Sequence, residues 1–174
     1  MTLKDGLLQL FDREVAISKK VLANVPGGKD DWKPHPKSMQ FSYLAHLVAM
    51  MPFWIAMVCE QDELDLAAGN MKPEPWASAD DLLKQHEGFV AKGRAALAGI
   101  DERKLYTTTW ALKMKGQQLS ADPRHQVVAD TLTHLAHHRG QLTVYLRLLE
   151  AKVASTYGPS ADDNPWASPT GAGA

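Results

Sequence analysis

Between Ser38 and Cys59 the chain runs for 22 residues without Lys, Arg, Asp or Glu. About 20 consecutive apolar residues are enough to cross a bilayer as a helix, so such a stretch is either a membrane span or the most buried element of a globular core. Its details favour the core. Ser38, Gln40, Ser42 and His46 are polar, Pro52 sits in the middle, and the apolar part from Leu47 to Cys59 falls short of a span. Leu44, Leu47, Val48, Met51, Ile55 and Val58 form one stripe at helical spacing, and Tyr43, His46, Met50, Phe53 and Met57 form a second. The stretch therefore predicts a helix capped by Ser38, apolar on most sides. A kink is expected where Pro52 removes the bond to the Val48 carbonyl.

The rest of the chain supplies partners for that helix. Thr2 with Asp5 has the form of a capping box, and Leu8, Phe11, Val15 and Leu22 recur at helical spacing until Asn24-Val25-Pro26-Gly27-Gly28 ends the pattern. Pro34 and Pro36 make Asp30 to Lys37 an extended connection, with His35 in it as a loop residue. Gly69-Asn70, Pro73 and Pro75 mark Gln61 to Ala77 as a long crossover. Ser78 with Asp81 then opens a third helix bearing Leu82, Leu83, Phe89, Val90 and Leu97, in which Gly88 and Gly93 are the weak points. From Thr107 to Gly116 the pattern alternates, with Trp110, Leu112 and Met114 on one side, which suits a short strand or extended arm. Asp122-Pro123 reads as the start of a long fourth helix through Val128, Leu132, Leu135, Leu142, Leu146 and Leu149. From Ser155 onward the tail 155–174 reads mostly as coil. The expected fold is all-α, a four-helix bundle with a long crossover connection and little room for a sheet, spanning 1–174 as a single domain.

Composition narrows the function. With 19 basic and 20 acidic side chains the formal charge is -1, which offers no electrostatic footing for nucleic acid or an anionic membrane. Cys59 is the lone cysteine, so neither a disulfide framework nor a paired-thiolate zinc site is possible, and it reads as a small core side chain. The N-terminal segment lacks the basic start and apolar run of a secretion signal, so the expected compartment is the reducing cytoplasm. There is no phosphate-binding loop, dinucleotide fingerprint or Gly-x-Ser-x-Gly elbow, and no organic cofactor is expected.

The chemistry concentrates in Thr133-His134-Leu135-Ala136-His137-His138-Arg139-Gly140-Gln141. His134 and His138, four residues apart, lie about 40° from each other around a helix axis and can share one ion. His137 could replace His138 in such a pair, although the packing phase toward Leu142, Tyr145 and Leu149 favours His138. His46, the only histidine in the apolar helix, is the candidate third ligand, its alternative being a core histidine bonded to a neighbour. Arg139 and Gln141 could orient a ligand, or Arg139 could serve a structural salt bridge. Three neutral imidazoles leave a coordination position open, as a catalytic metal requires, and suit zinc, nickel, copper or iron, of which zinc or nickel is expected. No general acid stands out beside the set, and the catalytic residues stay unassigned. His86 and His125 read as surface residues.

The run from His134 through Tyr145 to Leu149, the tail Ser155-Thr156-Tyr157-Gly158-Pro159-Ser160-Ala161-Asp162-Asp163, and Trp32-Lys33-Pro34 leading into Ser38 and His46 together resemble the DinB-like family of metal-dependent proteins. Ala154 stands where proline is common in similar tails. The resemblance implies a four-helix bundle, often a homodimer, with one divalent ion held by His46, His134 and His138. It also implies a small-molecule substrate. Some such proteins are thiol S-transferases, which present a low-molecular-weight thiol as a metal-bound thiolate to an electrophile; others are hydrolases that would use the same ligands with metal-bound hydroxide. A non-catalytic metal-binding or stress-response protein is the remaining alternative.

Overall fold

The computed structural model describes residues 2–68 and 75–167. Within them the order is α1 (Leu3–Leu22), α2 (Phe41–Glu60), β1 (Glu63–Asp65), α3 (Ala79–Gly99), α4 (Glu102–Thr107), β2 (Thr109–Met114), β3 (Gln117–Pro123) and α5 (Arg124–Leu148). The expected Gly69-Asn70 and Pro73 signals of the crossover, and the tail beyond residue 167, lie outside the described residues. The described tail, 155–167, contains neither helix nor strand.

The helices form where local chemistry allows. Thr2 and Asp5 make both halves of the capping box on α1. On α3 the Ser78 hydroxyl accepts from the Asp81 amide, while the Asp81 carboxylate takes the Ser78 hydroxyl and the Ala77 amide. α2 starts two residues later than a cap at Ser38 predicts, with Gln40 in the cap position. The Phe41 amide bonds the Trp32 carbonyl, and the Ser42 amide and hydroxyl both bond the Asp30 carbonyl. The connection thus caps α2 with backbone oxygens, leaving Ser38 in a turn with its amide on the His35 carbonyl.

α2 continues unbroken through Pro52 and packs chiefly against α3 and α5, with α1 filling the opposite side of those two. It is the one helix among the described residues long and apolar enough to cross a membrane, and 67% of its most apolar window is buried inside the molecule. That burial matches its reading as a core helix. Leu44, Val48, Met51, Leu135, Leu142 and Leu146 meet in one core cluster, and Phe11, Ile55, Val58, Leu97, Val128 and Leu132 in a second.

The molecule is mainly helical, but a three-stranded mixed sheet corrects the all-α expectation. β1 pairs parallel with β2, and β2 antiparallel with β3. The hairpin turns at Lys115 and Gly116, φ 52° and 78°, the left-handed geometry that a two-residue hairpin loop needs. Asp65 fixes that turn, because its carboxylate accepts from the Ala67, Lys115 and Gly116 amides. These bonds hold its pKa below the ordinary range, the Gly116 amide contributing most. The predicted helix start at Asp122-Pro123 is also corrected. Asp122 and Pro123 still pair with Trp110 and Thr109, so the ladder outlasts the local capping signal and α5 starts at Arg124. The buried Arg124 guanidinium ties this corner together, reaching the Val58 and Gln61 carbonyls at the end of α2 and the Asp62 carboxylate.

Candidate metal centre

α5 is helical through all of 133–141, so the four-residue spacing becomes proximity. The Nε2 atoms of His134 and His138 are 2.7 Å apart, with ring centroids at 4.4 Å. Gln141 directs its Oε1 to His138 Nδ1 at 2.8 Å, so Nδ1 donates and the lone pair of neutral His138 sits on Nε2, facing His134. His138 is buried at 8% exposure, whereas His134 and His137 are exposed. His137 lies beside the pair, its ring 5.1 Å from that of His138. Burial, followed by the neighbouring imidazoles, depresses the His134 pKa; burial depresses that of His138 against the opposing bond to Gln141. Both side chains therefore favour the neutral form that a metal ligand requires.

His46 lies on α2, 3% exposed, with its ring edge-on to Phe89. α2 and α5 run antiparallel, since Arg124 bonds the Val58 carbonyl and the Tyr145 hydroxyl bonds the Met39 carbonyl. From that first contact, His138 is about 21 Å along α5 and His46 about 18 Å along α2 at 1.5 Å per residue. The two share a level of the bundle. Among the described residues, however, no group of three or more His, Cys, Asp or Glu side chains is disposed to hold a metal. The structure brings His134 and His138 together, and His46 lies on the facing helix at the same level. The donor chemistry fits a borderline divalent ion. Two imidazoles at about 2.0–2.1 Å in tetrahedral array sit about 3.3 Å apart, so the rings would have to open by roughly 0.6 Å.

A cleft of about 320 Å³ opens beside His134. Trp54 and Val58, one turn apart, line it from α2. The sheet contributes Trp110 and Leu112 with their cross-strand partners Asp122 and Ser120, which places all four on one face. Val127, Asp130, Thr131 and His134, at i, i+3, i+4 and i+7, line it from α5. The alternation of Trp110 and Leu112 was the sequence signal for this wall; nothing local announced that α2 and α5 would close it.

Other predicted positions sort by contacts. His35 is an exposed loop residue whose Nδ1 accepts from the Lys37 amide. His125 is half-buried, with Nδ1 on the Leu105 carbonyl. Cys59 is buried, and burial pushes its thiol up to about 11, so it is no nucleophile at neutral pH. Arg139 belongs to the salt-bridge alternative: it is 1% exposed and bonds the Glu14 carboxylate at 2.6 Å, the Glu14 carbonyl, Ser18 and Tyr157.

His86 overturns its reading as a surface residue. It is 1% exposed, with Nδ1 2.9 Å from the Ala49 carbonyl and Nε2 3.4 Å from the Val15 carbonyl, so it joins α3 to α2 and α1. The polar run Lys84-Gln85-His86-Glu87 concealed it. Burial lowers its pKa from the ordinary 6.5, outweighing those two bonds. The unfolded chain then binds the proton more tightly, and stability is lost as pH falls below 6.5 toward the folded value. Urea midpoints should therefore decline as pH falls from 6.5, and decline less in His86→Asn; identical slopes in both proteins would assign the effect elsewhere.

The family model described as DinB family matches residues 7–168. The fold is similar to the crystal structure of a DinB-like protein from Bacillus subtilis, with 17% identity, TM-score 0.66, and coverage of 91% of this chain and 99% of that one. It is equally similar to a DinB-like protein from Bacillus cereus, with 20% identity, TM-score 0.66, and coverage of 88% and 97%. No curated protein matches.

Proposed function

Because the chain belongs to the DinB family, we propose that it is a divalent-metal-binding enzyme whose ligands are His46, His134 and His138, set in a four-helix bundle. The observation carrying this reading is the Nε2 pair of His134 and His138 at 2.7 Å, with Gln141 holding His138 in the tautomer that presents its lone pair. His46, at the same level on α2, would be the third ligand. Zinc or nickel is the expected ion. When bound, such an ion lowers the pKa of a thiol or a water molecule into the neutral range.

We favour thiol S-transfer to a small-molecule acceptor. His138 is fixed by Gln141, His134 faces the cleft, and the walls formed by Trp54, Trp110 and Leu112 exclude water from one side of the acceptor. The exposure of His134 supports a second reading, hydrolysis, in which water replaces the thiol. A cytoplasmic location suits the single buried thiol. A homodimer would cover Val144 and Leu148, apolar side chains on α5 that are 58% and 54% exposed.

Elemental analysis of untagged protein is expected to find about one divalent ion per chain, lost in His46→Ala and His138→Ala and kept in His137→Ala. Gln141→Ala should weaken metal affinity by about 10–100-fold, the usual cost of removing an orienting partner. Unchanged metal content in His46→Ala would refute the triad, and loss in His137→Ala with retention in His138→Ala would reassign the pair.

A further inference from the structure

The cleft beside His134 contains two carboxylates, Asp122 on β3 and Asp130 on α5, and no lysine or arginine. Asp122 is half-buried and Asp130 exposed, and neither has a side-chain hydrogen bond or ion pair among the described residues. Asp12, Asp62, Asp65 and Asp162 are each engaged with a cation or with backbone amides. The nearest basic side chain along β2, Lys113, alternates to the other face of the strand and pairs with Glu63 at 2.5 Å. With two carboxylates and no lysine or arginine in its lining, the cleft carries negative charge.

Its remaining walls are apolar and aromatic. Trp54 and Trp110 stand on α2 and β2, with Leu112, Val58 and Val127 completing the lining. Indole faces attract cations as well as apolar groups. About 320 Å³ is at the lower end for small-molecule sites, which limits the occupant to a compact molecule. An anionic ligand would meet two uncompensated carboxylates, and a purely apolar one would strip water from them without replacement.

We propose that the cleft lined by Trp54, Trp110, Asp122 and Asp130 is a binding site for a small organic ammonium ion with an aromatic or branched apolar body, and that this is the acceptor substrate presented to the imidazole pair. The charged nitrogen is recognised by the two carboxylates and the body by the indoles. The substrate role rests on the function proposed above. The binding site does not, because it uses no metal ligand except the flank of His134.

The test uses 2-phenylethylammonium, with uncharged 2-phenylethanol and anionic 3-phenylpropanoate as matched probes. Binding is followed by calorimetry and by the indole N–H signals of Trp54 and Trp110 in nitrogen-labelled protein, assigned with single Trp→Phe variants. The ammonium is expected to bind at least tenfold more tightly than the alcohol, to shift both indole signals, and to lose its advantage in the double variant Asp122→Asn with Asp130→Asn. His138→Ala should retain the preference even when its metal is gone, so a protein that holds no metal would overturn the enzymatic reading and leave the cation site standing. Equal affinity for the three probes, or an ammonium preference surviving the double variant, would overturn the site. So would ammonium binding that leaves both indole signals unmoved.

Discussion

Replacing Gly93 with alanine is expected to destabilise the protein by about 3 kcal/mol or more, at or beyond the upper end for overpacking a core. A Cβ at this position would lie 2.1 Å from the Pro52 carbonyl oxygen and 3.0 Å from its carbonyl carbon. Backbone, unlike the tip of a flexible side chain, cannot swing aside, so α3 must move away from α2 or α2 must distort. At the 2–4 °C per kcal/mol typical of chains this long, the melting temperature should fall by about 6–12 °C. Gly88, one turn and a half earlier on the same helix, is the internal control. A Cβ there meets nothing within 4 Å, so Gly88→Ala should gain about 0.5–1 kcal/mol from helix propensity alone. If Gly93→Ala melted with the parent, the close approach of the two helices would be disproved.

The second large effect is expected where α1, α5 and the tail meet. The Glu14 and Arg139 side chains are 3% and 1% exposed, and Tyr157 donates its hydroxyl to Glu14 Oε2 at 2.6 Å. Burial pushes the Glu14 carboxyl upward, but the hydrogen bonds from Tyr157, Arg139 and Arg13 outweigh it and leave the pKa below the ordinary 4.5. Burial and the bond to Glu14 raise the pKa of Tyr157 correspondingly. Glu14→Leu leaves a buried guanidinium without its counter-charge and should cost about 3–5 kcal/mol by urea unfolding. Adding Arg139→Leu should recover much of that loss, because an apolar pair is often no worse than a buried ion pair. The sign in acid follows from the lowered pKa: this stabilisation is present above 4.5 and disappears as pH falls through the folded value, so the acid limb should be shallower in the double variant. A double variant as unstable as Glu14→Leu would show that shape, not charge, matters at this junction.

What the sequence revealed was local, and what it hid was not. The capping box at Thr2 and Asp5 lies within four residues and formed as expected; so did the pairing of His134 with His138, one turn apart. The stripes on α2 and α5 likewise identified Leu44, Val48, Met51, Ile55, Val58, Val128, Leu132, Leu135, Leu142 and Leu146 as core. The sheet was less legible because β1 is only three residues, two of them acidic, that join β2 across nearly fifty positions, and β3 is mostly exposed with no alternation to betray it. Ser38 looked like a cap because its chemistry suits one, yet distant carbonyls at Asp30 and Trp32 took over the first amides of α2. His86 was hidden by its neighbours in sequence and is explained only by the carbonyls of two other helices. His46 was legible as buried, while its relation to α5 depends on how two helices are aligned.

The hairpin that forms one side of the cleft has a broader implication. It hangs between α4 and α5, is anchored at its tip by Asp65, and contributes Trp110, Leu112, Ser120 and Asp122 without supplying any of the imidazoles. On the function proposed above, part of the cleft's selectivity would lie in a stretch of chain separate from the imidazoles. A lineage could exchange the ribbon and acquire new molecular tastes while its helical chassis, and the histidines mounted on it, stayed untouched.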